Sequence, residues 1–568
     1  MIKNNKGTMA ATAIFMAALM MFCGLISAGL SSAEEVSSDE CNEFDLSVSN
    51  FGGSGEDRFN GVAATSDGGF IAVGYSAAAS FDSGDWPDVI GRGGEDAIIV
   101  KYDVSGDVVW KKNFGGGSND RFNGVAATSD GGFIAVGYSA AASFFSGDWT
   151  GVAGRGGEDA IIVKYDVSGD VVWKKNFGGS SNDRFNSVLA TSNSGFIAVG
   201  YSTSFASGDW PDVIGRGGED AIIVKCDASG DVVWKKNFGG SGEDRFNGVA
   251  ATSDGGFFAV GYSRGASFGS GDWTDVARRG MTDAIIVKYD VSGDVVWKKN
   301  FGGSGSNYFD GVVLASDGGL VAVGDSSKVG DVDLTGLTGY GSIDAIIVKY
   351  DASGDVVWKK NFGGNNTDDF SSVAVSGDSF IAACASVGGF NSGDLIGLTG
   401  HGGLDAIIVK YDASGDVVWK KNFGGSGDDR FNGISVLPNG SIVAVGNSVA
   451  ASFGTGDLTG LTGQGGWDAI ISVFVSLSGD GDGAGDGDGG KDSDENTNTG
   501  GCVKIPLKDR ILQLFPLISV ILMFFVTVGA IVMARGHKKK GKRIILRALL
   551  FDVLMIVVLA VLRMKGAI

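Results

Sequence analysis

A chain of 568 residues has room for several domains or one large repeat array. Its 97 glycines against 5 prolines suit many tight turns between short strands and exclude a collagen-like or proline-rich chain. The formal net charge is −21, and residues 535–568 hold nine Lys/Arg against one Asp, so the remainder stands at about −29, which argues against nucleic acid as a partner.

The N-terminus reads as a secretory signal over residues 1–33. Lys3 and Lys6 form a basic start, an apolar run follows from Met9 to about Leu30, and Ser31-Ser32-Ala33 offers small residues for cleavage. An uncleaved anchor is the alternative reading of so long a run. Phe22 before Cys23 is a poor lipoprotein box, so no lipidation is expected.

Residues 43–478 form a repeat array. The phenylalanine of the FGG unit recurs at Phe51, Phe114, Phe177, Phe238, Phe301, Phe362 and Phe423, with spacings of 61 or 63 residues. Such a period marks units that bury their faces only against one another. One unit offers four strands: NGVAAT and GFIAVGY around the turn SDG, then AIIVKY and DVVWKK around DVSGD. Gly, Asp and Ser at both turns favour tight hairpins. Helical spacing of apolar residues is missing throughout.

Seven units of four antiparallel strands predict an all-β fold, a seven-bladed β-propeller of four-stranded blades. Side-chain size fits, with small residues (Val62, Ala63, Ala64) in the first strand at the hub and a tryptophan (Trp110 and its equivalents) in the outer strand, packed between blades. The last unit lacks a VVWKKN strand, while FDLSVSN at residues 44–50 precedes the first FGG. That N-terminal strand is therefore expected to complete the seventh blade and remove an open edge. An open β-solenoid would need no such complementarity.

The segments DGGFIAVGYS, DAIIVKYD and SGDVVWKKNFGG resemble the β-propeller repeats of secreted bacterial and archaeal proteins, the SBBP-type and delta-sixty-type families. The resemblance spans roughly residues 43–478. It implies a propeller outside the cell and no single activity.

Residues 479–509 read as an acidic Gly/Asp-rich linker. Its alternating aspartates suggest weak calcium binding at most, because the twelfth position of a loop counted from Asp480 is Lys491, not an acid. Residues 510–534 are long and apolar enough for a transmembrane helix, and the basic loop 535–547 marks the cytoplasmic side. Residues 548–563 form a second apolar segment, read as a return span that would make a helical hairpin, or as an interfacial helix. The expected location is the cell membrane, with the repeats extracellular.

The five cysteines show no CxxC spacing, and the two histidines, His401 and His537, form no catalytic set, so neither a metal site nor a catalytic constellation is expected. Aspartates that recur in every unit, such as Asp96, read as turn acceptors. Two sets of residues in the connections are candidate ligand contacts: Trp86, Trp149, Trp210 and Trp273 in the long loops of the first four units, and Arg58, Arg121, Arg184, Arg245 and Arg430 before the first strands. The alternative for the arginines is Asp–Arg pairing across units. A membrane-anchored binding or adhesion module for a surface glycan, envelope component or protein is the preferred reading. An extracellular carbohydrate-active enzyme is the alternative, and an asymmetric carboxylate pair at the channel mouth would favour it. A structural envelope protein is the third reading.

Overall fold

The computed structural model describes residues 44–476 apart from Asn193, together with Val503 and Lys504. The segment read as a signal sequence, most of the stretch read as a linker and the two apolar C-terminal segments lie outside the described residues. Among the described residues no helix is long and apolar enough to cross a membrane.

Seven antiparallel sheets form the ring. Blade one consists of Asp57–Ala64, Phe70–Ala77, Glu95–Tyr102 and Val108–Phe114, from hub to rim. The second and third strands are buried along almost their whole length, because each is covered on both faces by neighbouring blades. The inner strand instead is buried only at Asp57 and Phe59 and half-buried elsewhere, with one side facing the channel.

Blade seven draws its outer strand from the other end of the array. Phe44–Phe51 pairs antiparallel with Trp467–Ser476, from Phe44↔Ser476 to Phe51↔Ala469, as the missing VVWKKN strand predicts. The sixth sheet also has a fifth strand, Val503–Lys504, on its outer edge, within the stretch read as a linker.

Contacts between blades repeat with the sequence. The Trp110 indole N–H donates to the Val167 carbonyl at 3.1 Å, and the ring lies where a Cβ on Gly169 would come within 2.8 Å of it. Trp110, Trp173, Trp234, Trp297 and Trp358 thus each rest on the SGD turn of the next blade, as their expected packing role requires. Lys175 and Asp231, 2.7 Å apart, represent a series of ion pairs at the same seams. Being half exposed, each contributes at most about 1 kcal/mol.

At the hub, every inner strand carries a β-bulge. In blade one the register slips between Phe59 and Gly61, which leaves Asn60 unpaired in the ladder and turns its side chain sideways. Its amide donates to the Phe122 carbonyl of blade two at 2.8 Å. Asn123, Asn186, Asn247, Ser371 and Asn432 make the same link to the next blade, the last to Phe59. The seventh position is Asp310, and a carboxylate there has no proton to donate.

Candidate functional site at the channel mouth

The inner strands begin on the face that carries the long loops, and the channel opens there into a cavity of about 390 Å³. Arg58, Arg121, Arg184 and Arg430 line it with Tyr75, Tyr138, Asn60, Asn447 and Trp467. Four of the five arginines singled out by sequence therefore meet at one place. Arg430 pairs with an aspartate of the adjacent unit, Asp369, while Arg121, Arg184 and Arg245 pair with glutamates. Arg121 forms two bonds to Glu95 of the preceding blade, at 2.5 and 2.7 Å, and lies over Tyr75 at 4.0 Å from the ring centre. Arg184 with Glu158 and Tyr138, and Arg245 with Glu219 and Tyr201, repeat the arrangement. These bidentate pairs hold the guanidinium planes fixed at the channel rim. Glu95 stands next to the invariant Asp96, as the ED pair at the start of the third strand.

The four loop tryptophans are elsewhere. Trp86, Trp149, Trp210 and Trp273 are all 0% exposed. Each loop folds back and sets its indole edge-on against the FGG phenylalanine, as in Phe114–Trp149 at 5.0 Å. The Trp149 N–H is satisfied internally by Ser139 Oγ at 2.9 Å. Leu334, Leu395 and Leu458 fill the same buried seat in the last three blades. The tryptophans are thus wedges between loop and blade, and the Trp/Leu division of the ring is a difference in packing. A ligand anchor needs an open ring face, which none of the four offers.

Recurrent aspartates also have structural roles. Asp96 accepts the backbone N–H groups of Arg92 and Gly93 and the Asn113 amide, in keeping with its reading as a turn acceptor. Asp120, at the foot of an inner strand, accepts Gly116 N–H and Ser143 Oγ, and burial pushes its carboxyl up to about 6. His401 occupies the place of Arg92 and faces Asp457 at 3.5 Å, so it is a seam residue and not a solvent-facing one.

One half of the channel departs from the repeat. Asp310 replaces an asparagine, Asp325 replaces the tyrosine equivalent to Tyr75, and Asp369 replaces an arginine. Burial raises all three carboxyls, Asp310 to about 7 and Asp325 to about 8, and the charge of Asp369 pushes those two further up. Arg430 opposes the effect, with its guanidinium 3.2 Å from Asp369. Asp310 lines the deeper part of the channel, about 280 Å³, and accepts the Asn247 amide at 2.9 Å. Sequence reading missed this group because it weighed aspartates that recur. An alignment of units shows these three among the positions where the pattern breaks. No cluster of three or more His, Cys, Asp or Glu among the described residues has the arrangement of a metal site.

Fold and site together define a closed seven-bladed β-propeller whose channel mouth is lined by arginine, tyrosine and amide side chains. No family model matches the chain. It is 27% identical over 173 residues to Regulatory protein FlaEY of Caulobacter vibrioides, a match covering 29% of this chain and 18% of that protein. The chain therefore corresponds to under a fifth of that relative's length. Among solved structures, it is similar to Kuenenia stuttgartiensis hydrazine synthase (11% identity, 68% of this chain and 92% of that one, TM-score 0.40). It is also similar to Comamonas testosteroni quinohemoprotein alcohol dehydrogenase (12% identity, 80% of each chain, TM-score 0.37). Likenesses this remote carry nothing toward a ligand or an activity.

Proposed function

We propose that this chain is a membrane-anchored surface propeller that binds its ligand at the channel mouth on the long-loop face. The observation that supports this most is the cavity itself, where side chains from several blades meet and the repeat loses its symmetry. Export and anchoring rest on the N-terminal signal and on residues 510–547; the surface setting also rests on the repeat resemblance. A glycan, an envelope component or a protein are the ligand classes such a setting supplies. The test is a glycan array and an envelope-fraction pull-down with the full-length protein. Capture is expected to fall at least tenfold when Arg58 and Arg184 are both replaced by alanine, and to be unchanged for Lys299→Ala on the outer seam. Equal loss in both would place the contact elsewhere.

A second reading, a carbohydrate-active enzyme, is favoured by one observation. Asp310, Asp325 and Asp369 form an asymmetric acidic group in which burial holds protons near neutral pH, as a general acid requires. Turnover of any glycan in such a panel, abolished by Asp325→Asn alone, would establish it over binding.

A further inference from the structure

Resting on the channel-mouth reading, we infer that Arg58 is the anchor of a site for one oxyanion group, a carboxylate, sulfate or phosphate. The argument compares equivalent positions around the ring. Arg121, Arg184 and Arg245 each have a glutamate from the preceding blade and the tyrosine of that blade beneath the guanidinium. For Arg58 the preceding blade is blade seven, and both partners have changed. Trp467 holds the glutamate's place: it bridges to Glu56 as Glu95 bridges to Asn119. Asn447 holds the tyrosine's place, which leaves room where a ring would sit.

Arg58 is accordingly held without a bidentate carboxylate partner. Its guanidinium lies over the Trp467 ring at 4.5 Å and near Tyr75 at 6.0 Å, so two aromatic faces fix its plane. The nearest carboxylate oxygen, on Glu56, is 4.0 Å away, too far for a hydrogen bond. Its Nε–H is buried and finds no acceptor among the described residues. A fork of donors with a fixed plane and no bidentate partner matches a carboxylate or a tetrahedral oxyanion. Arg58, Asn447 and Trp467 all line the cavity, so the group has an open approach. Arg430 differs: Leu404 takes the glutamate's place there too, but Asp369 supplies a carboxylate. The negative charge of Glu56 and Asp428 at the rim sets a cost, so affinity for an isolated anion is expected in the millimolar range and should weaken with salt.

The test is calorimetric titration of the full-length protein with glucuronate, sulfate and inorganic phosphate, with glucose as the neutral control. Saturable binding of at least one anion and none of glucose is expected. Arg58→Ala should weaken it at least tenfold. Trp467→Glu keeps the arginine but restores the glutamate of the other blades, and should weaken it equally; Lys299→Ala on the outer seam should leave it unchanged. Glucuronate or the tetrahedral ions binding more tightly would distinguish the carboxylate from the sulfate or phosphate source. Absence of saturable anion binding to the wild type, or anion binding unaltered in Arg58→Ala, overturns the inference. If a glycan or protein captured by the wild type is captured equally by Arg58→Ala, the oxyanion site fails while the channel-mouth reading stands.

Discussion

Asp310 shows how much a single substitution in a repeat can alter. Six bulged residues donate a hydrogen bond to the next inner strand, and the carboxyl at the seventh position can do so only when protonated. Burial raises Asp310 to about 7 and Asp325 to about 8 from an ordinary 3.8. A carboxyl whose pKa is raised in the folded state contributes stability that is complete below about pH 4 and lost as pH rises through the folded value. The contribution of this pair is therefore lost progressively between about pH 4 and 8. Asp310→Asn supplies a permanent donor and is expected to raise the melting temperature at pH 9 by about 2 °C or more relative to its effect at about pH 3.5, where Asp310 is protonated in both states. A melting curve against pH that is parallel for the two proteins would remove Asp310 from this account. The buried wedges give a second residue-scale expectation. Trp149→Ala should cost about 3–5 kcal/mol in chemical denaturation, since the indole is fully enclosed and hydrogen-bonded; a loss below 1 kcal/mol would mean that the loop can collapse into the gap. Composition made these tryptophans look like surface anchors, because it tells that a loop is long but not that it folds back. The arginines were legible as a set; their glutamate partners depended on which blades adjoin.

At the scale of the element, hairpin turns and blade seams were readable because each imposes a local residue choice. The SGD turn needs a left-handed residue, and the same position must admit the neighbouring indole. Gly230, with φ +77°, meets both demands, since a Cβ there would stand 2.8 Å from the Trp173 ring. Gly255, in the SDG turn between first and second strands and with φ +85°, meets only the first demand and has open space around it. Gly255→Ala is expected to cost about 1 kcal/mol, from backbone strain alone, and Gly230→Ala about 1–3 kcal/mol more. Equal costs would mean that the tryptophan moves aside freely. The bulge in the inner strand was not legible: FNG reads as ordinary strand, and only the slipped register turns Asn60 toward the next blade.

For the whole molecule, the orphan strand FDLSVSN and the truncated last unit announced ring closure, and the eight-residue pairing of Phe44–Phe51 with Trp467–Ser476 carries it out. Removing residues up to Asn50 should expose the edge of Trp467–Ser476 and lower the melting temperature or produce association; a variant that stays monomeric and melts unchanged would show that the seam adds nothing. The same pairing has a mechanical consequence. Phe44 lies opposite Ser476, so the two ends of the array leave the ring side by side. A force pulling those ends apart separates the strands one hydrogen bond at a time, as a zipper opens, and does not load the eight pairs together in shear. In an optical trap the seam is then expected to yield first at low force, followed by blades that unravel one after another. Each released repeat of 61 or 63 residues should lengthen the tether by roughly 200 Å.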